Sequence, residues 1–261
     1  MKNDLFTIGP FTIHGYGLMI GIGILVCLIV GLYRGEKKGM NQEAIVDIGL
    51  LSMISGFLGA KLLYVIVEFD AFLSNPLEVL GSEGFVVYGG IVLGIVCAAL
   101  YCHRKKLVFL KYLDLLAPSI SIAQGFGRIG CFLAGCCYGK ETTSSIGVVF
   151  PEGNFAPSGV KLLPTQLFSS AGNFLIATVL LLYSKHSKKE GDVGSLYLFL
   201  YGIGRFLIEF LRSDDRGNVG FLSTSQFISI GIVLSAFLLH FRHKLFPTHK
   251  NKNINHSFLN D

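Results

Sequence analysis

The sequence predicts an all-α polytopic membrane protein with about seven transmembrane helices, the N-terminus outside and the C-terminus cytoplasmic. Three observations carry that expectation. The 261 residues are 51% hydrophobic and only 15% charged, whereas soluble domains carry about 25% charge. Apolar stretches near the ~20 residues that cross a bilayer recur along the whole chain. Basic residues cluster after every odd-numbered stretch, and the positive-inside rule converts that alternation into an orientation.

The first stretch, roughly 14–33, opens near Tyr16 and is followed by Arg34, Lys37 and Lys38. It follows no basic leader region and precedes no small-residue cleavage site, so it is expected to stay as an anchor. The second, 45–67, carries Lys61. The connection 68–84 holds Glu68, Asp70, Glu78 and Glu83 without a Lys or Arg, which places it outside. The third stretch, 85–102, opens with Tyr88, Gly89 and Gly90 and ends at Arg104, Lys105 and Lys106. The fourth, 113–137, contains Arg128. A long connection, 138–164, is rich in Pro, Gly and Ser and reads as an extracytoplasmic loop or small cap. The fifth, 165–183, precedes Lys185, Lys188 and Lys189; the sixth, 193–212, contains Arg205 and Glu209. The seventh, 222–241, precedes Arg242, Lys244, Lys250 and Lys252. Residues 1–246 are expected to form a single integral membrane domain, and 247–261 a polar cytoplasmic tail. Helix is the form expected of each stretch, because an open sheet edge is left unsatisfied in hydrocarbon. The 32 glycines suit close helix packing in lipid. No strand alternation or basic, aromatic-interleaved surface points to nucleic acid.

Lys61, Arg128 and Arg205 are the informative residues. Each charge at the centre of a spanning helix costs roughly 2.5–3.5 kcal/mol on insertion scales, so such groups face a protein interior or wet cavity and find a partner. In YGIGRFLIEFLR, Tyr201, Arg205, Glu209 and Arg212 recur at helical spacing and share one face. Arg205 and Glu209 either neutralise each other or serve a ligand. No acidic residue lies within one turn of Arg128 in QGFGRIGCFL. A planar guanidinium binds anionic oxygens bidentately, so a phosphate is the fitting partner. The orientation sets both arginines roughly 12–15 Å below the outer boundary, at 1.5 Å per residue. Gly125, Gly127, Gly130 and Gly135 surround Arg128; they imply either tight packing or a kinked, partly unwound segment at the site.

Cys27, Cys97 and Cys102 read as small apolar residues. Cys131, Cys136 and Cys137 cluster. Packing residues come first among their readings, a disulfide second and a metal site last. A metal site wants a fourth ligand, which no nearby His or Cys supplies, so no metal is assigned.

In order along the chain, IHGYGLMIGIG, SGFLGAKLLYV, VVYGGIVLGI, GRIGCFLAGCCYG, PTQLF, YGIGRFLIEFLRSDDRG and LSTSQFISI resemble the bacterial prolipoprotein diacylglyceryl transferases. The resemblance runs from about residue 5 to 240. It implies a cofactor-free enzyme of the bacterial plasma (inner) membrane with its active site toward the extracytoplasmic side. The implied reaction moves diacylglycerol from phosphatidylglycerol, a membrane lipid, to the lipobox cysteine thiol of a prolipoprotein and releases glycerol phosphate, the first step of lipoprotein maturation. It assigns catalytic roles to Arg128 and Arg205, and binding roles to Tyr16, Gly89, Gly90, Gly139, Tyr201, Glu209 and Lys61 beside Arg128. Tyr88 stands where many members have His, and is expected to orient substrate. Many members carry Asn at the positions of Cys131 and Ala134 and Glu at that of Cys136. Two rival readings remain at this stage: a phospholipid-binding transporter or flippase, and a non-catalytic member of the family.

Overall fold

The computed structural model describes residues 4–8, 11–82, 84–213 and 217–245. The expected tail at 247–261 and Glu83 lie outside the described residues. The chain opens on an antiparallel hairpin, β1 (Asp4–Ile8) and β2 (Phe11–His14), that leads straight into α1 (Gly15–Lys37). Next come α2 (Gln42–Val67), two short helices α3 (Phe69–Ser74) and α4 (Pro76–Gly81), α5 (Val87–Arg104) and α6 (Phe109–Ala134). A two-stranded pair, β3 (Val148–Val149) with β4 (Lys161–Leu162), precedes α7 (Thr165–Tyr183) and α8 (Asp192–Glu209). A second tight pair, β5 (Asn218–Val219) with β6 (Leu222–Ser223), leads into α9 (Thr224–Leu245).

The fold is therefore mostly helical rather than purely so. Each of the seven expected apolar stretches coincides with a long helix. Five of these helices, α1, α2, α5, α7 and α9, are long and apolar enough to cross a membrane, so the chain is a multi-pass membrane protein. The other two, α6 and α8, are the more polar pair. They hold Asp114, Ser119, Ser121 and Arg128, and Ser195, Arg205 and Glu209. Their polarity has a physical reason: α6 packs against α1, α7 and α8, so its side chains meet protein on several sides. Around this hub large apolar side chains face outward. Leu25, Ile29, Phe57, Leu175 and Leu234 are all exposed, as expected of a surface bathed in hydrocarbon rather than water.

Two features make close packing possible. Where α2 crosses α5 the backbones touch: a Cβ added at Gly89 would sit 2.3 Å from the Gly59 carbonyl oxygen, and one at Gly90 2.4 Å from that of Gly56. Small residues permit this approach in a lipid-embedded pair. Several buried polar groups are satisfied locally. Ser121 Oγ donates to the Asn173 carbonyl (2.8 Å) and Ser170 Oγ to that of Gly125 (2.9 Å), tying α6 to α7. Asp114 Oδ2 accepts from the Gly191 N–H (2.6 Å) and Oδ1 from the Gly194 N–H (2.8 Å). One buried carboxylate thus satisfies two donors at the start of α8, where the helix dipole also favours negative charge. At the same end Arg34 donates to the Leu115 carbonyl, and Tyr101 donates to Asp47 (2.5 Å).

Two connections carry structure of their own. Residues 68–84 form α3 and α4 rather than an irregular loop, with Leu73 and Leu77 exposed. Residues 138–164 fold over a small core of their own. Phe150, Ala156 and Leu162 are buried there against Phe132, Tyr138 and Val160, and bridges join Glu141 to Leu162 and Phe150 to Ser158. The expected unwinding near Arg128 is absent: α6 is helical through Gly125, Gly127 and Gly130. Two of these glycines serve contact instead. A Cβ at Gly125 would press on the Phe174 ring (2.8 Å), and one at Gly130 on the Tyr16 carbonyl oxygen (3.1 Å).

Replacing Asp114 with Ala leaves two buried N–H groups without their acceptor, a loss of about 1–3 kcal/mol. Thermal unfolding of the detergent-solubilised protein is expected to shift to lower temperature accordingly.

Candidate active site

The end of α6 is set by Gly135, whose left-handed conformation (φ 74°) turns the chain out of the helix. Arg128 lies six residues before Ala134 and Arg205 four residues before Glu209. At 1.5 Å per residue these are about 9 and 6 Å from their helix ends. Both helices end sooner than the expected spans, α6 before Cys136 and α8 before Arg212.

The two arginines line one cavity of about 150 Å³ between α6, α7 and α8. Tyr201 and Arg205 contribute from α8, Arg128 from α6, and Ser169 and Asn173 from α7. Gly172 and Gly204 line it too, and a Cβ built at either would meet no other atom within 4 Å. Arg205 is held from two directions. Its Nη1 is 2.8 Å from Glu209 Oε2, and its Nη2 donates to Ser225 Oγ of α9 (2.7 Å). Glu209 accepts a further bond from Ser223 Oγ (3.1 Å), and Arg212 Nε stands 3.8 Å from its Oε2. Arg205 and Glu209 do pair, then, and Arg205 still lines the cavity. The pair fixes the guanidinium's position. Arg128 has no carboxylate partner among the described residues. Its electrostatic neighbours are Cys131, Cys137, Tyr201 and the like-charged Arg212. A guanidinium removed from water is costly unless compensated, so an oxygen-rich anion in the cavity suits it.

Of the residues singled out from sequence, Arg128, Tyr201 and Arg205 come together at the cavity, with Glu209 directly behind. Tyr16, at the head of α1, faces Gly130 of α6 and lies within electrostatic range of Arg128. Gly139 joins the end of the 138–164 segment to the site's back wall. Its N–H donates to the Leu163 carbonyl (2.9 Å), and it pairs in a bridge with Arg212. Four residues fall elsewhere. Tyr88 stands half-exposed at the start of α5 and outside the cavity lining. Gly89 and Gly90 are spent on the α2–α5 backbone contact. Lys61 Nζ donates to the Ser82 carbonyl (2.7 Å) and to the Gly84 carbonyl (3.3 Å) and lies over the Phe85 ring (4.9 Å). It therefore anchors the segment after α4. Sequence reasoning missed Ser223 and Ser225 as supports of the charged pair. The signal was there in LSTSQ, a polar run at the head of an otherwise apolar helix.

The three clustered cysteines also converge. Their Sγ atoms all lie within 4.8 Å of one another, and no disulfide joins them. The Cys137 thiol lies within electrostatic range of Arg212.

In this multi-pass helical membrane protein the central helices α6 and α8 bring two arginines to one cavity. The sequence narrows the class. The prolipoprotein diacylglyceryl transferase family matches residues 3–242, and the chain belongs to that family. It is 50% identical to the phosphatidylglycerol–prolipoprotein diacylglyceryl transferase of Clostridium tetani, over 92% of this chain and 97% of the relative. Identity is 47% to phosphatidylglycerol–prolipoprotein diacylglyceryl transferase 2 of Clostridium perfringens, over 94% and 96%. It is 33% to the Finegoldia magna enzyme of the same name, again over 94% and 96%.

The packing role of Gly90 separates from a binding role by experiment. Gly90→Ala drives a methyl into the Gly56 carbonyl, an overpacking cost of about 1–3 kcal/mol. The expected result is a lower unfolding temperature with turnover per folded molecule unchanged.

Proposed function

We propose that this protein transfers the diacylglyceryl group of phosphatidylglycerol to the lipobox cysteine thiol of prolipoproteins, releasing glycerol phosphate. The observation that carries the reading is the shared cavity of Arg128 and Arg205, in which Arg128 has no carboxylate partner among the described residues. Family membership and relatives bearing that activity in their names support it.

The chemistry follows from charge. A cysteine thiol with a pKa near 8.5 is a few per cent thiolate at neutral pH. The thiolate attacks the glyceryl carbon bonded to the phosphate oxygen. A carbon–sulfur bond forms, the carbon–oxygen bond breaks, and its electron pair leaves with glycerol phosphate. Negative charge grows on the departing phosphate, where Arg128 and Arg205 are held to receive it. Tyr201 binds the headgroup beside them, and Glu209 keeps Arg205 aimed. Tyr16 is assigned to substrate binding at the rim. Tyr88, which stands outside the cavity lining, is assigned orientation of an incoming substrate rather than proton removal. Every bond made or broken belongs to the two substrates, so the reaction needs no cofactor.

The positive-inside pattern supports seven spans in one membrane domain, residues 1–246, with the N-terminus outside and the 247–261 tail in the cytoplasm. That orientation turns the cavity and the 138–164 cap toward the extracytoplasmic side of the bacterial plasma membrane. A flippase needs a polar route to the opposite end. Asp47 and Asp114, two of the acidic groups there, are engaged by Tyr101 and by the start of α8.

Arg128→Ala and Arg205→Ala are each expected to lower glycerol phosphate release from phosphatidylglycerol and a lipobox peptide by about 10²–10³-fold, while circular dichroism shows the helices retained. Wild-type turnover in both variants contradicts the reading. Tyr88→Phe is expected to keep turnover within about tenfold of wild type, since removing a general base costs about 10²–10⁴-fold; the same assay measures it.

A further inference from the structure

Cys131, Cys136 and Cys137 have no part in the proposed transfer, yet the backbone takes trouble to gather them. Cys131 is on the last turn of α6, and Gly135 reverses the chain behind it. Cys137 adopts a left-handed backbone (φ 63°), a conformation uncommon and costly for a residue with a side chain. Three hydrogen bonds hold that turn. The Cys136 N–H donates to the Cys131 carbonyl (3.1 Å). Gln166 Nε2 donates to the Cys136 carbonyl (2.8 Å), and Thr165 Oγ1 to the Cys137 carbonyl (2.9 Å). Gln166 and Thr165 are themselves each 1% exposed.

The result is three sulfurs within 4.8 Å of one another. One ion bound at about 2.3 Å from each sulfur sets them about 3.8–4.0 Å apart, so closure needs only small side-chain rotations. Thiolates select soft cations such as zinc and monovalent copper. Three protein ligands with one open position is a known zinc arrangement, so a fourth side chain is not required. Charge fits as well. Three thiolates around a divalent ion carry one net negative charge, and the Arg128 and Arg212 guanidiniums both lie within electrostatic range of the cluster. A disulfide, by contrast, would use two sulfurs and leave the third in place without purpose.

We propose that Cys131, Cys136 and Cys137 form a three-thiolate binding site for a soft metal cation, zinc or monovalent copper, at the end of α6. The site stands whether or not the chain transfers lipid.

The test uses the reduced, full-length protein in detergent, with cadmium as the optical probe and zinc as competitor. A cadmium–thiolate charge-transfer band is expected to saturate at one ion per chain and to be reversed by zinc. X-ray absorption of the zinc-loaded wild type is expected to show three sulfur neighbours at about 2.3 Å, a measurement that depends on no variant. Cys131→Ser, Cys136→Ser and Cys137→Ser should each weaken binding at least about tenfold, whereas the Cys27, Cys97 and Cys102 triple Ser variant should bind as wild type. Absence of the band, fewer than three sulfur neighbours, or equal binding after loss of all three clustered thiols overturns the proposal.

Discussion

The ion pair between Arg205 and Glu209 sets the terms for the rest of the molecule. A charge carried into a helical bundle at membrane depth has to be compensated by the protein itself, because no bulk water is present to do it. Here the compensation is shared: Glu209 holds Arg205 from one turn away on α8, and Ser225 holds it from α9. Two helices are thereby fastened at one point, and the guanidinium keeps a fixed heading. The same principle recurs at other places. Asp114 is satisfied by backbone N–H groups, Arg34 by a backbone carbonyl, and Lys61 by the carbonyls after α4. Against that background Arg128 stands apart: unlike Arg205 it has no carboxylate beside it among the described residues, and unlike Arg34 and Lys61 it lines the cavity.

This distribution explains why α6 and α8 are the least apolar of the long helices. Lipid-facing helices are free to be uniformly hydrophobic, and α1, α2, α5, α7 and α9 come close to it. A helix surrounded by protein carries serines, an asparagine partner and charges without meeting hydrocarbon. Polarity in a long helix is thus a marker of position in the bundle, and in this chain it coincides with the site.

Much of this was legible in the sequence. The long helices could be placed because apolar length is dictated by bilayer thickness. Tyr201, Arg205 and Glu209 could be set on one face because helical spacing is fixed. Arg128 could be singled out by its lack of a local carboxylate. What escaped had other causes. The end of α6 was set too late because Gly135 stops the helix early, and hydropathy does not register a left-handed cap. That Gly89 and Gly90 meet another backbone was not visible, because a glycine has the same letter whatever it packs against. The convergence of three thiols depended on the Cys137 backbone and on Gln166 and Thr165, all set by a turn whose geometry spacing alone does not define.

One consequence concerns Gly172 and Gly204. Both line the space in front of the arginines, and a Cβ built at either would enter open space. Headroom for the bound molecule is therefore adjustable by one-letter changes that leave the bundle undisturbed. Size discrimination can drift during evolution, or be engineered, independently of the machinery that neutralises charge.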